Sequence, residues 1–199
     1  MGTITRQREI IDRRVLAEQL SLAARDARAA ALDRGPFRGP LKAALAVGRA
    51  EIRRRFEGSE DGAAAVREHC FLMDQLVRVL FDLVTQEVYP LANPTSGERL
   101  TIVAVGGYGR GELAPFSDID LLFLLPYKQT PYTEQAIEYL LYLLWDLDLK
   151  IGQATRSVQE CLRQAKSDLT IRTALLEARY LWGEQALFDE LKKRFDSEI

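Results

Sequence analysis

The sequence predicts an α+β protein: a small mixed β-sheet flanked by N-terminal and C-terminal helices. Three observations point there. Residues 1–90 carry helical periodicity, two short β-rich apolar runs follow at Leu100–Val105 and Asp118–Leu125, and helical patterns take over again after Ser157.

The 199 residues suit one large domain or two small ones, with enough apolar material for a core. Hydrophobic residues make up 47% and charged residues 28%, and the net charge is −2. No field of one sign dominates, so nothing supports broad nucleic-acid binding. The longest apolar stretch, Leu121–Leu125, has the length of a buried strand, and no run approaches the ~18 residues of a membrane span. Met1–Arg14 is charged and lacks the apolar segment of a signal peptide. Cys70 and Cys161 lie in apolar, helix-like surroundings and read as buried free thiols, which suits a reducing cytoplasm. The single histidine, His69, excludes a metal site built on several histidines. It reads as a surface or half-buried helix residue.

Taken in order, Met1–Arg34 is helical, and Gly35-Pro36-Phe37-Arg38-Gly39-Pro40 breaks it. A second helix is predicted from Leu41 to about Glu57, before the break at 58–62. In the third, Val66, Cys70, Met73, Val77, Leu80 and Val84 recur at steps of four and three, the signature of one packing face. The two apolar runs are strands. Glu134 to about Leu144 is a helix, capped by Thr130 ahead of Pro131 or by Thr133. A third strand falls within Asp146–Thr155. Ser157-Val158-Gln159-Glu160 is a capping box opening another helix. Asp168–Trp182 reads as a further helix stopped at Gly183, and Glu184–Phe195 is amphipathic. The expected organisation is a helical region at 1–97, a catalytic core at 98–160 and a helical extension at 161–199.

The chemistry concentrates between the strands. Asp118 and Asp120 are two apart, so on a strand both carboxylates project to one face while Ile119 and Leu121 point inward. Their repulsion is relieved by a hard divalent cation such as Mg²⁺, which takes a few carboxylates and completes its shell with phosphates and water. Gly106 and Gly107 follow the first strand directly, where a sharp turn brings backbone N–H groups close to a ligand. A helix beginning at Tyr108 adds a field favourable to phosphate. A nucleoside triphosphate held between turn and aspartates has the geometry of two-metal catalysis. Arg110, Arg156 and Ser117 are candidate phosphate contacts. Tyr108, Phe116 and Tyr127 are candidates for stacking on a base, with packing the stronger reading. No Gly-Lys-Ser/Thr follows the glycines, so this is not the phosphate loop of common NTPases.

Hydrophobic strand, Gly-Gly and downstream Asp-x-Asp resemble the DNA polymerase beta-like nucleotidyltransferase superfamily. Within it, the run from Gly106 to Asp120 looks like the bacterial PII uridylyltransferase/uridylyl-removing enzymes, as do Leu144–Ser157, Asp168-Leu169-Thr170 and Leu175-Leu176-Glu177-Ala178-Arg179. The resemblance covers roughly residues 60–195. It implies a polymerase beta-like sheet, two Mg²⁺ ions, UTP as donor and a tyrosine of the PII signal protein as acceptor. It also implies a third carboxylate, for which Asp146 is preferred over Asp148 because the related glutamine synthetase adenylyltransferases carry a hydrophobic-Asp-Leu-Arg-Leu-Arg run that superposes on Trp145–Lys150. Gln153 stands where the family typically has histidine, and it cannot carry a proton at neutral pH. Members of this family carry a phosphohydrolase domain and two ligand-sensing domains that are not visible in these residues, which points to a portion of a longer protein. The alternatives are protein adenylyl transfer and a silent nucleotide-binding module.

Overall fold

The computed structural model describes residues 4–26 and 33–199. Part of the predicted first helical stretch, at 1–3 and 27–32, lies outside them. The described elements run α1 (Gln7–Ile10), α2 (Arg13–Asp26), α3 (Gly35–Ser59) and α4 (Gly62–Asp82), the last continuing into a π-helical turn at Leu83–Val88. Then come β1 (Thr101–Ala104), α5 (Gly106–Gly109), β2 (Ile119–Leu125), α6 (Pro131–Trp145) and β3 (Ile151–Ser157). The chain closes with α7 (Val158–Ser167), α8 (Leu169–Leu176), β4 (Arg179–Gly183) and α9 (Gln185–Glu198).

The sheet has the order β3-β2-β1-β4. β1 is antiparallel to both β2 and β4, and β2 is parallel to β3, so the sheet is mixed as predicted. Strand alternation splits the apolar residues between two faces. Ile102, Ala104, Leu121, Phe123, Leu125 and Leu181 pack against the N-terminal helices and α6. Val103, Leu122 and Leu124 pack against α7, α8 and α9. The first core runs unbroken from Ile10 through α4 to the sheet, so the helical region and the sheet are built around one interior.

Local chemistry sets most boundaries. The Thr130 hydroxyl accepts from the Thr133 amide at 3.2 Å ahead of Pro131, and Ser157 and Glu160 form the reciprocal capping box that opens α7. The α4 stripe is buried at Cys70, Met73, Val77 and Leu80. Arg55 pins the N-terminal segment by pairing with Glu9, Glu51 and Glu68. Hydrogen bonds from Arg54 and then Arg55 hold the Glu51 carboxyl down to about 2.

Three expectations are corrected. α3 begins at Gly35, not Leu41, and contains Pro40. Pro36 sits in the first turn, where its missing N–H costs nothing, and Pro40 forfeits one bond near the helix start while Phe37 and Leu41 are buried on either side of it. The stretch Asp168–Trp182 is not one helix: α8 ends at Leu176, and Arg179–Gly183 becomes an edge strand on β1. The free edge of β1, distant in sequence, wins over the local helical pattern. Gly183 has φ +101, and a Cβ there would overlap the Leu100 carbonyl. His69 is buried, not on the surface, at 4% exposure.

Burial, with Arg49 adding to it, pushes the His69 imidazole below its ordinary range, while the Leu113 backbone opposes the shift. Below pH about 6.5 the unfolded chain takes up a proton that the folded chain resists, so stability falls as pH drops. Thermal denaturation between pH 7.5 and 5.5 is therefore expected to show a decline that His69→Gln flattens; an unchanged slope in the variant would count against this assignment.

Candidate functional site

Asp120 is the second residue of β2 and half-buried, and Asp118 lies just before the strand and is exposed. Between them Ile119 is buried at 2%, so the alternation holds and the carboxylates share the opposite face. Register places Asp120 beside Gly152 of β3, while the Asp120 carbonyl accepts from the Val105 amide at 3.1 Å on the β1 side. Both flanks are glycine for a steric reason. A Cβ on Gly152 would overlap Asp120 Oδ1, and one on Gly106 would come within 3.3 Å of Asp120 Oδ2. Burial raises the Asp120 carboxyl above its usual range, and the Asp118 charge raises it further. Both causes disfavour the charged form of Asp120, burial more than the neighbouring acid.

Gly106 takes φ +59 and leads into α5, a single turn that ends in Arg110. The first amides of such a turn have no acceptor within it and face outward. The turn is clamped from behind. Arg179 on β4 donates to the Tyr108 carbonyl at 3.1 Å and the Gly109 carbonyl at 3.3 Å. The same guanidinium grips Asp74 of α4 at 2.7 and 3.0 Å. Burial alone would lower the Arg179 pKa, but the hydrogen-bonded Asp74 carboxylate outweighs it and the net shift is upward. Gly109 is tight against the end of α8: a Cβ there would overlap the Glu177 carbonyl.

The predicted site residues divide. Gly106, Gly107, Asp118 and Asp120 come together, with Ser117 next to Asp118. Arg110 lies by the turn, but its guanidinium is engaged by Glu177 at 2.8 Å and Glu112 at 3.3 Å. Arg156 stands opposite Leu124, four residues along from the Asp120–Gly152 pair, roughly 13 Å away along the strand. Asp146 was expected on a strand as the third acid. It is instead the C-cap of α6, paired with Arg34 at 3.0 Å. Asp148 sits in the following turn at φ +57, close to Lys42 at 3.4 Å. The strand starts only at Ile151, so neither side chain joins the row of Asp120. Among the described residues no group of three acidic, histidine or cysteine side chains converges as a metal site. Tyr108 is core, whereas Phe116 is 80% exposed at φ +69.

Sequence reading missed the roles of Gly152, Asp74 and Arg179. Asp74 carried a signal, a charge within the apolar helix α4. Gly152 carried none until β2 and β3 were put in register.

The nucleotidyltransferase domain family matches residues 93–181. Those boundaries run from just before β1 through most of β4, and so take in both aspartates, both flanking glycines and Arg179. This segment is a nucleotidyltransferase domain. Bifunctional uridylyltransferase/uridylyl-removing enzymes resemble the whole chain. That of Azospirillum brasilense is 55% identical over all of this chain and 21% of its own length. The Rhodospirillum rubrum enzyme is 56% identical over 96% of the chain and 21% of its own length. The Caulobacter vibrioides enzyme is 48% identical over 98% and 21%. The chain thus spans about a fifth of the length of these relatives. No helix among the described residues is long and apolar enough to cross a membrane.

Two substitutions test the nucleotidyltransferase domain. Gly152→Ala is expected to displace the Asp120 carboxylate and lower nucleotidyl transfer by about 100-fold with little change in Tm. Asp74→Ala leaves Arg179 unpaired and half-buried and is expected to cost about 3 kcal/mol in chemical denaturation.

Proposed function

We propose that these residues transfer UMP from UTP to a tyrosine hydroxyl of the PII signal protein, releasing pyrophosphate. One observation carries the reading: the Asp120 carboxylate is set between two glycines beside Asp118 and against a glycine turn, in a chain about half identical to uridylyltransferases. Only the transferring half of the relatives' name is proposed for this stretch, and the cytoplasm is its proposed setting.

Asp118 and Asp120 are the residues that would hold Mg²⁺, two ions by the family's pattern. They fit it: two carboxylates face one side, and the half-buried Asp120 carboxyl is raised by its burial and further by the Asp118 charge. Bound there, the metal supplies charge neutralisation on the phosphates and a stronger leaving group. The amides of Gly106 and Gly107 receive the triphosphate, with the hydroxyl of Ser117, next to Asp118, as a further phosphate contact. Arg179, through the Tyr108 and Gly109 carbonyls, keeps those amides pointed outward. Arg110 braces the turn through Glu177. The tyrosine oxygen bonds to the α-phosphorus, the bond to the pyrophosphate oxygen breaks in line, and the hydroxyl proton passes to water.

A second reading, nucleotide binding without transfer, is favoured by one observation: Asp146, the proposed third acid, is committed to Arg34. The experiment uses the full-length protein with PII, Mg²⁺ and labelled UTP or ATP. Transfer from UTP that falls more than about 100-fold in Asp120→Asn, yet stays within about tenfold in Asp146→Asn, supports a transferase resting on two aspartates. Label transfer from ATP instead points to adenylylation, and nucleotide binding without transfer in the parent points to the silent module. Loss of transfer in a folded Asp146→Asn protein returns that residue to the metal.

A further inference from the structure

Behind the loop that leads into Asp118 lies a cavity of about 300 Å³, separate from the glycine turn. Its walls are apolar: Ile52 and Phe56 from α3, Pro115 and Phe116 from the loop. Phe116 is held in the left-handed region at φ +69, an uncommon conformation for a bulky residue, and leaves 80% of its surface exposed. Arg49 stands over its ring at 5.9 Å and shares the cavity with Arg53. Arg53 is paired with Glu57 at 2.8 Å, but among the described residues no carboxylate lies within salt-bridge distance of Arg49.

The third polar member of the lining is His69, 4% exposed. Neither ring nitrogen has a hydrogen-bond partner meeting normal geometry, although the Leu113 backbone is close. A buried imidazole with no well-formed hydrogen bond is costly and rare, and a polar partner such as an ordered water, an ion or a ligand relieves it. The surroundings define that partner's chemistry. Two phenyl rings and a proline take a flat apolar body, and the Arg49 guanidinium takes a negative charge at one end. An imidazole N–H donates a hydrogen bond from its side of the cavity.

We propose that this cavity binds a small planar carboxylate, an aromatic acid of one or two rings, with its carboxylate between Arg49 and His69. Such a ligand covers Phe116, two residues before Asp118, and so touches the loop that positions the aspartates from the side away from the nucleotide. The proposal does not depend on the transferase reading, and its test needs no turnover.

His69 is the one histidine of these 199 residues, so in the protein of this length its ring C–H resonances are a unique reporter. The probe is 2-naphthoate, titrated into the protein while those resonances are followed by NMR. A saturable shift with Kd of about 1 mM or tighter is expected for a ligand of this size. The uncharged analogue 2-naphthalenemethanol should bind about tenfold more weakly, and so should 2-naphthoate to the Arg49→Gln/Arg53→Gln protein. Both arginines lie outside the catalytic machinery and outside the core, and an unchanged Tm confirms that the variant is folded. No saturable shift up to about 10 mM overturns the site. Equal binding of acid and alcohol, or undiminished binding to the double variant, reduces the cavity to an apolar packing gap and overturns the proposed ligand class.

Discussion

Everything at the candidate site depends on the parallel pairing of β2 with β3 at the Asp120–Gly152 position. A carboxylate at the start of a central strand normally meets side chains from the strands on both sides. Here one flank is Gly152 and the other is Gly106, the first residue of the turn after β1, and a Cβ at Gly152 would collide with the acid. The pairing therefore does two jobs. It leaves the sheet's end open beside the carboxylate, and it holds Asp120 half-buried next to Asp118, where burial first and the neighbouring charge second raise its carboxyl above the usual range. A slip of one residue would turn Asp120 toward the core of the N-terminal helices and bring Ile119 or Leu121 to the site.

The second support is Arg179. Five hydrogen bonds run from its guanidinium to two carbonyls of the glycine turn, both oxygens of Asp74 and the Cys70 sulfur. One guanidinium thereby ties α4, the turn and β4 into a single body, and the turn's carbonyls face backward while its amides face forward. A buried pair of this kind contributes little net stability, because desolvation offsets much of the attraction. Its value is geometric: a four-residue helix rich in glycine has no intrinsic rigidity.

The N-terminal helices reach the site from the sheet face opposite the Asp120 carboxylate. α4 contributes Asp74 to the turn and His69 to the cavity behind the Asp118 loop, while α3 contributes Arg49 and Arg53. One continuous core joins these helices to the sheet. The α3–α4 pair thus touches both halves of the site, the glycine turn through Asp74 and the Asp118 loop beside Phe116.

The sequence by itself determined what is local. Gly-Gly after an apolar run, Asp-Ile-Asp at the head of another, Thr130 before Pro131 and the Ser157–Glu160 box are all contained within a few residues, and their physics needs nothing from elsewhere in the chain. The tertiary structure decided what depends on partners distant in sequence. β4 is a strand because β1 offers it an edge, although Asp168–Trp182 has a helical pattern of its own. Asp146 is a helix cap bound to Arg34, 112 residues earlier, although a hydrophobic-Asp-hydrophobic run allows a strand equally well. Gly152 lies against Asp120 only once two strands separated by a helix are placed side by side. Spacing shows which face a residue occupies on its own element; which other element meets that face is set by the packing of the whole chain.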